Sequence, residues 1–114
     1  MIITITSIRL KNWWRFFELS YYGMRISFQI KKQAGFIRMK NTGFGYLHFT
    51  CSAWSHESDL KKFSREGAHL EAMKRASSIA TETRTYTYES GIFPNWGKAK
   101  KLLSENGKIL TWRK

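Results

Sequence analysis

Three things are scarce in this 114-residue chain: cysteine, proline and acidic side chains. The lone Cys51 excludes an internal disulfide, and its place on the apolar side of an alternating segment predicts a small buried hydrophobe. The single proline, Pro94, follows Gly91 and opens a new local unit near the C-terminus. Eight Asp and Glu face 20 Lys and Arg, a formal net charge of +12. A field of that sign attracts nucleic acid, anionic membrane or acidic small molecules. The basic residues are dispersed, with only short clusters such as Lys31-Lys32 and Lys61-Lys62, which favours a solvated basic surface over a nucleic-acid-gripping arm.

Other absences narrow the function. No segment is apolar for the length of a membrane span. The opening Met1-Ile2-Ile3-Thr4-Ile5-Thr6 lacks the basic and apolar regions of a signal peptide, so a cytoplasmic protein without a membrane partner is expected. There is no G-x-S-x-G, P-loop, dinucleotide glycine fingerprint or H-E-x-x-H. The glutamates form no recognisable acid/base pair, which disfavours hydrolase chemistry. Three histidines and one cysteine show no metal-ligand spacing, which disfavours a structural zinc.

What is present is a globular composition, 42% apolar and rich in aromatic rings at 16%. Rings in that number must fill a core, an interface or a ligand pocket. The length suits one domain spanning residues 1–114, with a core over 1–90 and a helical extension over 91–114. The central stretch reads as a strand running into a helix. Along Tyr46–Trp54, Leu47, Phe49, Cys51 and Ala53 alternate with Tyr46, His48, Thr50, Ser52 and Trp54. Glu57 and Asp59 then sit where a helix N-terminus favours negative charge. Leu60, Phe63, Leu70, Met73 and Ala76 recur at helical spacing, interrupted near Gly67.

Ile2–Leu10 alternates as a first strand. From Trp13 to Gln33 the pattern predicts a helix with two adjacent apolar stripes, Phe17-Tyr21-Met24-Phe28 and Leu19-Tyr22-Ile26-Ile30. Two stripes are too wide for one core face and imply a second partner, either another subunit or a ligand. Phe36–Asn41 is a second strand, joined to the third by turn residues around Gly43 and Gly45. Glu82–Glu89 is a fourth, Trp96–Leu103 a short basic helix ended by Asn106-Gly107, and Lys108–Trp112 a last short strand or an ordered tail. The order β-α-β-β-α-β predicts an α+β, ferredoxin-like domain: a four-stranded antiparallel sheet with helices on one face. The other face is expected to be open and to carry Tyr46, His48 and Tyr86.

Two motifs bear on function. Thr42 to Phe49, TGFGYLHF, nearly matches the RNA-recognition signature K/R-G-F/Y-G/A-F-V-x-F/Y, with Phe44 and Tyr46 as stacking rings. Against it, Ile2–Leu10 carries no second aromatic platform, and the first helix is long for that fold. The second covers most of the chain: Trp54, a capped helix with Phe63, then Gly67 to Met73 with His69, then Arg84-Thr85-Tyr86-Thr87-Tyr88. This order resembles the dimeric α+β barrel superfamily, in particular antibiotic-biosynthesis monooxygenase-like and spheroidene monooxygenase-like proteins. The superfamily includes cofactor-free oxygenases, haem-degrading and haem-binding enzymes, isomerases and members with no known reaction. The resemblance implies a homodimer in which two open sheet faces pack together, and a small hydrophobic or aromatic ligand. It also implies either no cofactor or haem. In haem-using members a helix histidine ligates iron, and His69 matches that general location; His69 is the candidate catalytic residue. Trp13, Phe17, Tyr21, Trp54, Phe63 and Met73 are the candidate ligand-binding residues, although most such rings in a small domain belong to its core. A basic RNA-binding module and a non-catalytic dimeric domain are the alternatives.

Overall fold

The computed structural model describes residues 1–112, without the side chains of Phe44 and Ala68. Five strands, β1 (Ile2–Leu10), β2 (Phe36–Phe44), β3 (Leu47–Trp54), β4 (Ala80–Glu89) and β5 (Lys108–Thr111), form one sheet in the order β2-β3-β1-β4-β5. Every neighbouring pair is antiparallel. Among the described residues four helices accompany them: α1 (Phe16–Lys31, led by a 3-10 turn at Trp13–Arg15), α2 (Glu57–Ser64), α3 (Gly67–Ile79) and α4 (Trp96–Asn106). Strands 1 to 4 with the intervening helices make the ferredoxin-like βαββαβ arrangement, so the expected fold class holds. β5 pairs Lys108–Thr111 with Glu82–Thr85, so the sheet has five strands rather than four.

The central strand β1 is an alternating apolar segment, and its pleat sends Ile3, Ile5 and Ser7 to one face and Ile2, Thr4, Thr6 and Ile8 to the other. The first face is dry. Ile3, Ile5, Cys51 and Ala53 are fully buried against Ala99 and Leu103 of α4. Asn95 caps α4, its side-chain oxygen accepting from the Lys98 backbone N–H at 2.8 Å. The expectation of helices on one face only is therefore corrected: the basic helix after Pro94 crosses the second face, because Ala99 and Leu103 carry the apolar stripe that face needs.

On the opposite face, α1 lays Ile26 and Ile30 over Ile2, Trp54, Phe36 and Met39, with Phe63 and Leu60 of α2 closing the cluster. The Trp54 ring lies 5.1 Å from Phe63 and 5.7 Å from Phe36, and its indole N–H donates to the Ser52 hydroxyl at 3.0 Å. The run Met24–Ile30, which also alternates at period two, is helical throughout.

The β2–β3 hairpin closes through the two-residue loop Gly45-Tyr46, with Phe44 paired to Leu47. Of the two loop residues, Gly45 has positive φ (65°) and Tyr46 does not, the pattern of a II′ turn with glycine first. The RNA-signature peptide Thr42–Phe49 therefore runs down one strand, around the turn and up the next. In an RNA-recognition motif it would lie along a single strand. Tyr46 sits in the turn, and the Phe44 side chain lies outside the described residues. The expected open face dissolves too. His48 faces α1, while Tyr86, paired with Ile5, lies on the α4 side.

Candidate functional site

Beneath α1 the sheet does not pack tightly. β2 and β3 contribute Met39, Asn41, Gly43, His48 and Thr50, and β1 contributes Ile8. α1 roofs this floor with Phe16, Leu19, Tyr22, Gly23 and Ile26, and α3 closes one end with Ala72 and Ile79. Together they bound a cavity of about 420 Å³. Its walls are mostly aliphatic and aromatic, while Asn41, His48 and Thr50 bring polar groups to the sheet floor. A few placed polar groups in an otherwise apolar concavity is the ordinary build of a small-molecule site.

The register explains why these polar groups gather. Asn41 pairs with Thr50 and Gly43 with His48 across the hairpin, so one face of two adjacent strands presents all of them. The His48 ring lies 5.5 Å from Phe16 of α1. Its Nε2 is 2.9 Å from the Gly45 carbonyl oxygen, which only accepts, so Nε2 carries the hydrogen and the neutral ring has its lone pair on Nδ1. A Cβ on Gly43 would fall 2.4 Å from that Nδ1, so only glycine leaves its flank clear. Gly23 in the roof differs: an added Cβ there would meet nothing within 4 Å, so space is left over at that point.

The residues expected from sequence to make the site do not converge on this cavity. Trp54 and Phe63 stack together in the core beside it. Trp13, Phe17, Tyr21 and Met73 lie on the outer surface of the helical layer. They cannot line a pocket between helices and sheet, because α1 turns its other stripe inward. His69 is wedged between α3 and its neighbours. Its ring sits 5.0 Å from Phe63, its Nδ1 is 3.2 Å from the Ser64 carbonyl, and its backbone N–H donates to Gln29. Burial disfavours its charged form and pushes its pKa below the ordinary value of 6.5. Nδ1–H bonded to a carbonyl leaves Nε2 as the lone-pair nitrogen, a tautomer that suits a metal ligand. Yet His69 lines neither this cavity nor the smaller one, so the residues present do not offer a haem its axial ligand together with room for the macrocycle. Among the described residues no three His, Cys, Asp or Glu side chains cluster to hold a metal ion.

The smaller cavity, about 220 Å³, lies on the α4 side between Arg9, Arg84, Lys100 and Glu82. Glu82 already holds both arginines, at 3.9 and 3.5 Å. Cys51, on that same face, is buried and its thiol is pushed up to about 11 by desolvation, which leaves it a packing residue rather than a nucleophile.

Sequence reasoning missed His48, Asn41 and Thr50 as cavity residues, though a signal was present. His48, Thr50 and Trp54 share one parity along β3, so placing Trp54 under the helices places His48 there as well.

Solved structures share this arrangement. SnoaB from Streptomyces nogalater, a cofactor-independent oxygenase, superposes with a TM-score of 0.66 over 82% of this chain and 97% of its own, at 10% identity. This chain has the same ferredoxin-like α+β fold. A candidate antibiotic biosynthesis monooxygenase from Nitrosomonas europaea matches that fold at TM-score 0.70, 14% identity, 81% of this chain and 100% of its own. A conserved protein from Methanosarcina mazei Go1 matches at TM-score 0.70 and 16% identity, over 78% and 91%. No family model and no curated protein matches the sequence. What is shared at these identities is the fold, and activity has to be argued from the cavity.

Proposed function

We propose that this chain is a monooxygenase-like protein that takes a small hydrophobic or aromatic compound into the cavity between α1 and the sheet. One observation carries the reading: a largely apolar, half-open cavity of about 420 Å³ with Asn41, His48 and Thr50 on its floor. Apolar walls exclude water from a reactive intermediate, and the polar floor orients the substrate. The fold it shares with a cofactor-independent oxygenase supports oxygen chemistry as the activity.

Oxygenation without a cofactor requires the substrate to supply its own electrons. For an activated methylene the balance is R₂CH₂ + O₂ → R₂C=O + H₂O: one oxygen atom enters the substrate, the other leaves as water, and the substrate loses four electrons. The first step is removal of a proton from carbon. His48 is the group at the cavity that can take it, on the Nδ1 lone pair left free by the Nε2–H bond to Gly45. Asn41 and Thr50 would hold the oxygen substituents of the ring.

The test uses purified protein with an electron-rich polycyclic phenol, following binding by fluorescence and turnover by dissolved-oxygen consumption. Gly23→Leu, which fills the roof, should lower affinity roughly tenfold or more, as burying a leucine side chain in the ligand's space would demand. His48→Gln should keep binding and lose turnover. Absence of binding by the unmodified chain, or full turnover in His48→Gln, overturns the assignment. We also propose a homodimer, as the sequence resemblance implies, meeting at the part of the α4-side sheet face that α4 leaves uncovered. Sedimentation of the chain as a monomer would refute it.

A further inference from the structure

α1 is apolar on two sides. One stripe is spent on the sheet. The other, Phe17, Tyr21, Met24 and Phe28, continues from Trp13 and Trp14 along the outside of the molecule, and none of the six is covered. Phe17 is 71% exposed and Phe28 62%. Spacings of three and four residues put them in one ridge, which from Phe17 to Phe28 runs about 16 Å along the helix. Single exposed apolar side chains need no explanation, whereas a contiguous row of them marks an interaction surface.

The rim of the ridge is basic. Lys31 and Lys32 stand exposed at its C-terminal end. Arg25 flanks it, stacked over Tyr21 and paired with Glu71 of the neighbouring α3. Lys74 and Arg75 follow Glu71 by three and four residues, so they share its face of α3 and lie alongside the ridge, both exposed. Two tryptophans at one end, apolar rings and a methionine along the middle, and lysines and arginines around the margin match the chemistry of a helix lying flat in a lipid headgroup layer.

We propose that α1 docks this chain on an anionic membrane surface, with Trp13, Trp14, Phe17, Tyr21, Met24 and Phe28 entering the headgroup–acyl boundary. Charge decides the occupant. A second copy meeting the ridge would set two basic rims of a +12 protein against each other. An anionic bilayer instead attracts each rim cation. Single-stranded nucleic acid would call for rings on a concave basic platform, and these stand on a convex helix. The absence of a spanning helix among the described residues, from which no membrane partner was expected, does not bear on a helix that lies in the surface. This inference is independent of what the cavity binds.

Co-sedimentation with vesicles tests it. One set is pure phosphatidylcholine, and the other carries one part phosphatidylserine to two parts phosphatidylcholine. The protein should bind the anionic vesicles, weakly or not at all the neutral ones, and less as salt is raised. Phe17→Ser/Phe28→Ser, exposed substitutions whose folding circular dichroism can confirm, should lower binding roughly tenfold or more. Lys31→Gln/Lys32→Gln should erase much of the preference for anionic vesicles. No binding to anionic vesicles overturns the proposal. So does binding that ignores Phe17→Ser/Phe28→Ser, since charge alone would then explain it. A dimer that those substitutions dissociate, or RNA binding that they abolish, in a protein indifferent to vesicles, would equally overturn it.

Discussion

The two faces of the sheet are built differently. On the α4 side, Ile3, Ile5, Cys51 and Ala53 pack against Ala99 and Leu103, and the layers part at the smaller, charged cavity beyond Leu103. On the α1 side, only the end near Trp54 and Ile30 is packed as tightly, and towards Phe16 and His48 the layers part to leave the cavity. The same strands serve both, so the difference comes from the side chains. Where it is packed, the α4-side face presents aliphatic groups and a thiol, whereas around the larger cavity the other face presents a threonine, an asparagine and a histidine that a helix cannot cover closely without stranding their polar atoms. A small domain thus keeps a rigid half that holds the sheet and a looser half available to a ligand.

The sharpest way to break this comparison is truncation on each side. Ile5→Ala or Leu103→Ala should cost about 3 kcal/mol in urea unfolding, as expected for buried aliphatic side chains that leave a cavity. Leu19→Ala, which enlarges a space already there, should cost about 1 kcal/mol. Equal costs would mean that the α1 side is packed as densely as the other. Cys51 gives a second measure of dryness. With its thiol raised from 9.0 to about 11, its thiolate is about a hundredfold scarcer at neutral pH than an ordinary cysteine's. Thiol reagents should label it in urea and leave it untouched in native protein; prompt native labelling would show that the α4 side opens.

Smaller effects sharpen the picture of the cavity side. Gly43→Ala places a Cβ 2.7 Å from the His48 Cα and 2.4 Å from its ring, so the hairpin must shift. A loss of about 2 kcal/mol is expected, together with weakened ligand binding. His69 should make stability fall in acid. Burial lowers its folded pKa below the ordinary 6.5, so the unfolded chain takes up the proton first. Its contribution is complete above about pH 6.5, is lost as the pH falls towards the folded value, and levels off below it. A melting series from about pH 8 to about pH 5 should show this slope, and His69→Gln should flatten it; an unchanged slope would assign the acid sensitivity elsewhere. The smallest effect is a gain. Gly23→Ala sits mid-helix with open space at its Cβ, and should stabilise the protein by about 0.5–1 kcal/mol while leaving the cavity usable. Destabilisation would mean that α1 closes down onto the sheet at Gly23.

Much of this architecture was readable from residue order. The strand at Ile2–Leu10, the helix from Trp13, the break near Gly67 and the βαββαβ order all follow from local periodicity and turn residues. The two stripes of α1 are legible in the same way. The hairpin turn was placed a little early, because Asn41-Thr42-Gly43 carries turn chemistry as strong as Gly45 does. The bulk of Trp13, Phe17, Tyr21 and Met73 marks them for burial without saying where, so sequence alone points them to the pocket. Which stripe of α1 turns inward depends on contacts with strands far away in the chain.

By itself, then, the sequence determined the elements, their order and the alternation of each strand, since these rest on a backbone pleat and a helical pitch that every short segment carries within it. Only tertiary structure decided which side of the sheet α1 covers, that α4 returns across the other, and that His48 rather than His69 meets the cavity. Those outcomes depend on side chains dozens of residues apart competing for the same apolar surface, a competition no local pattern encodes.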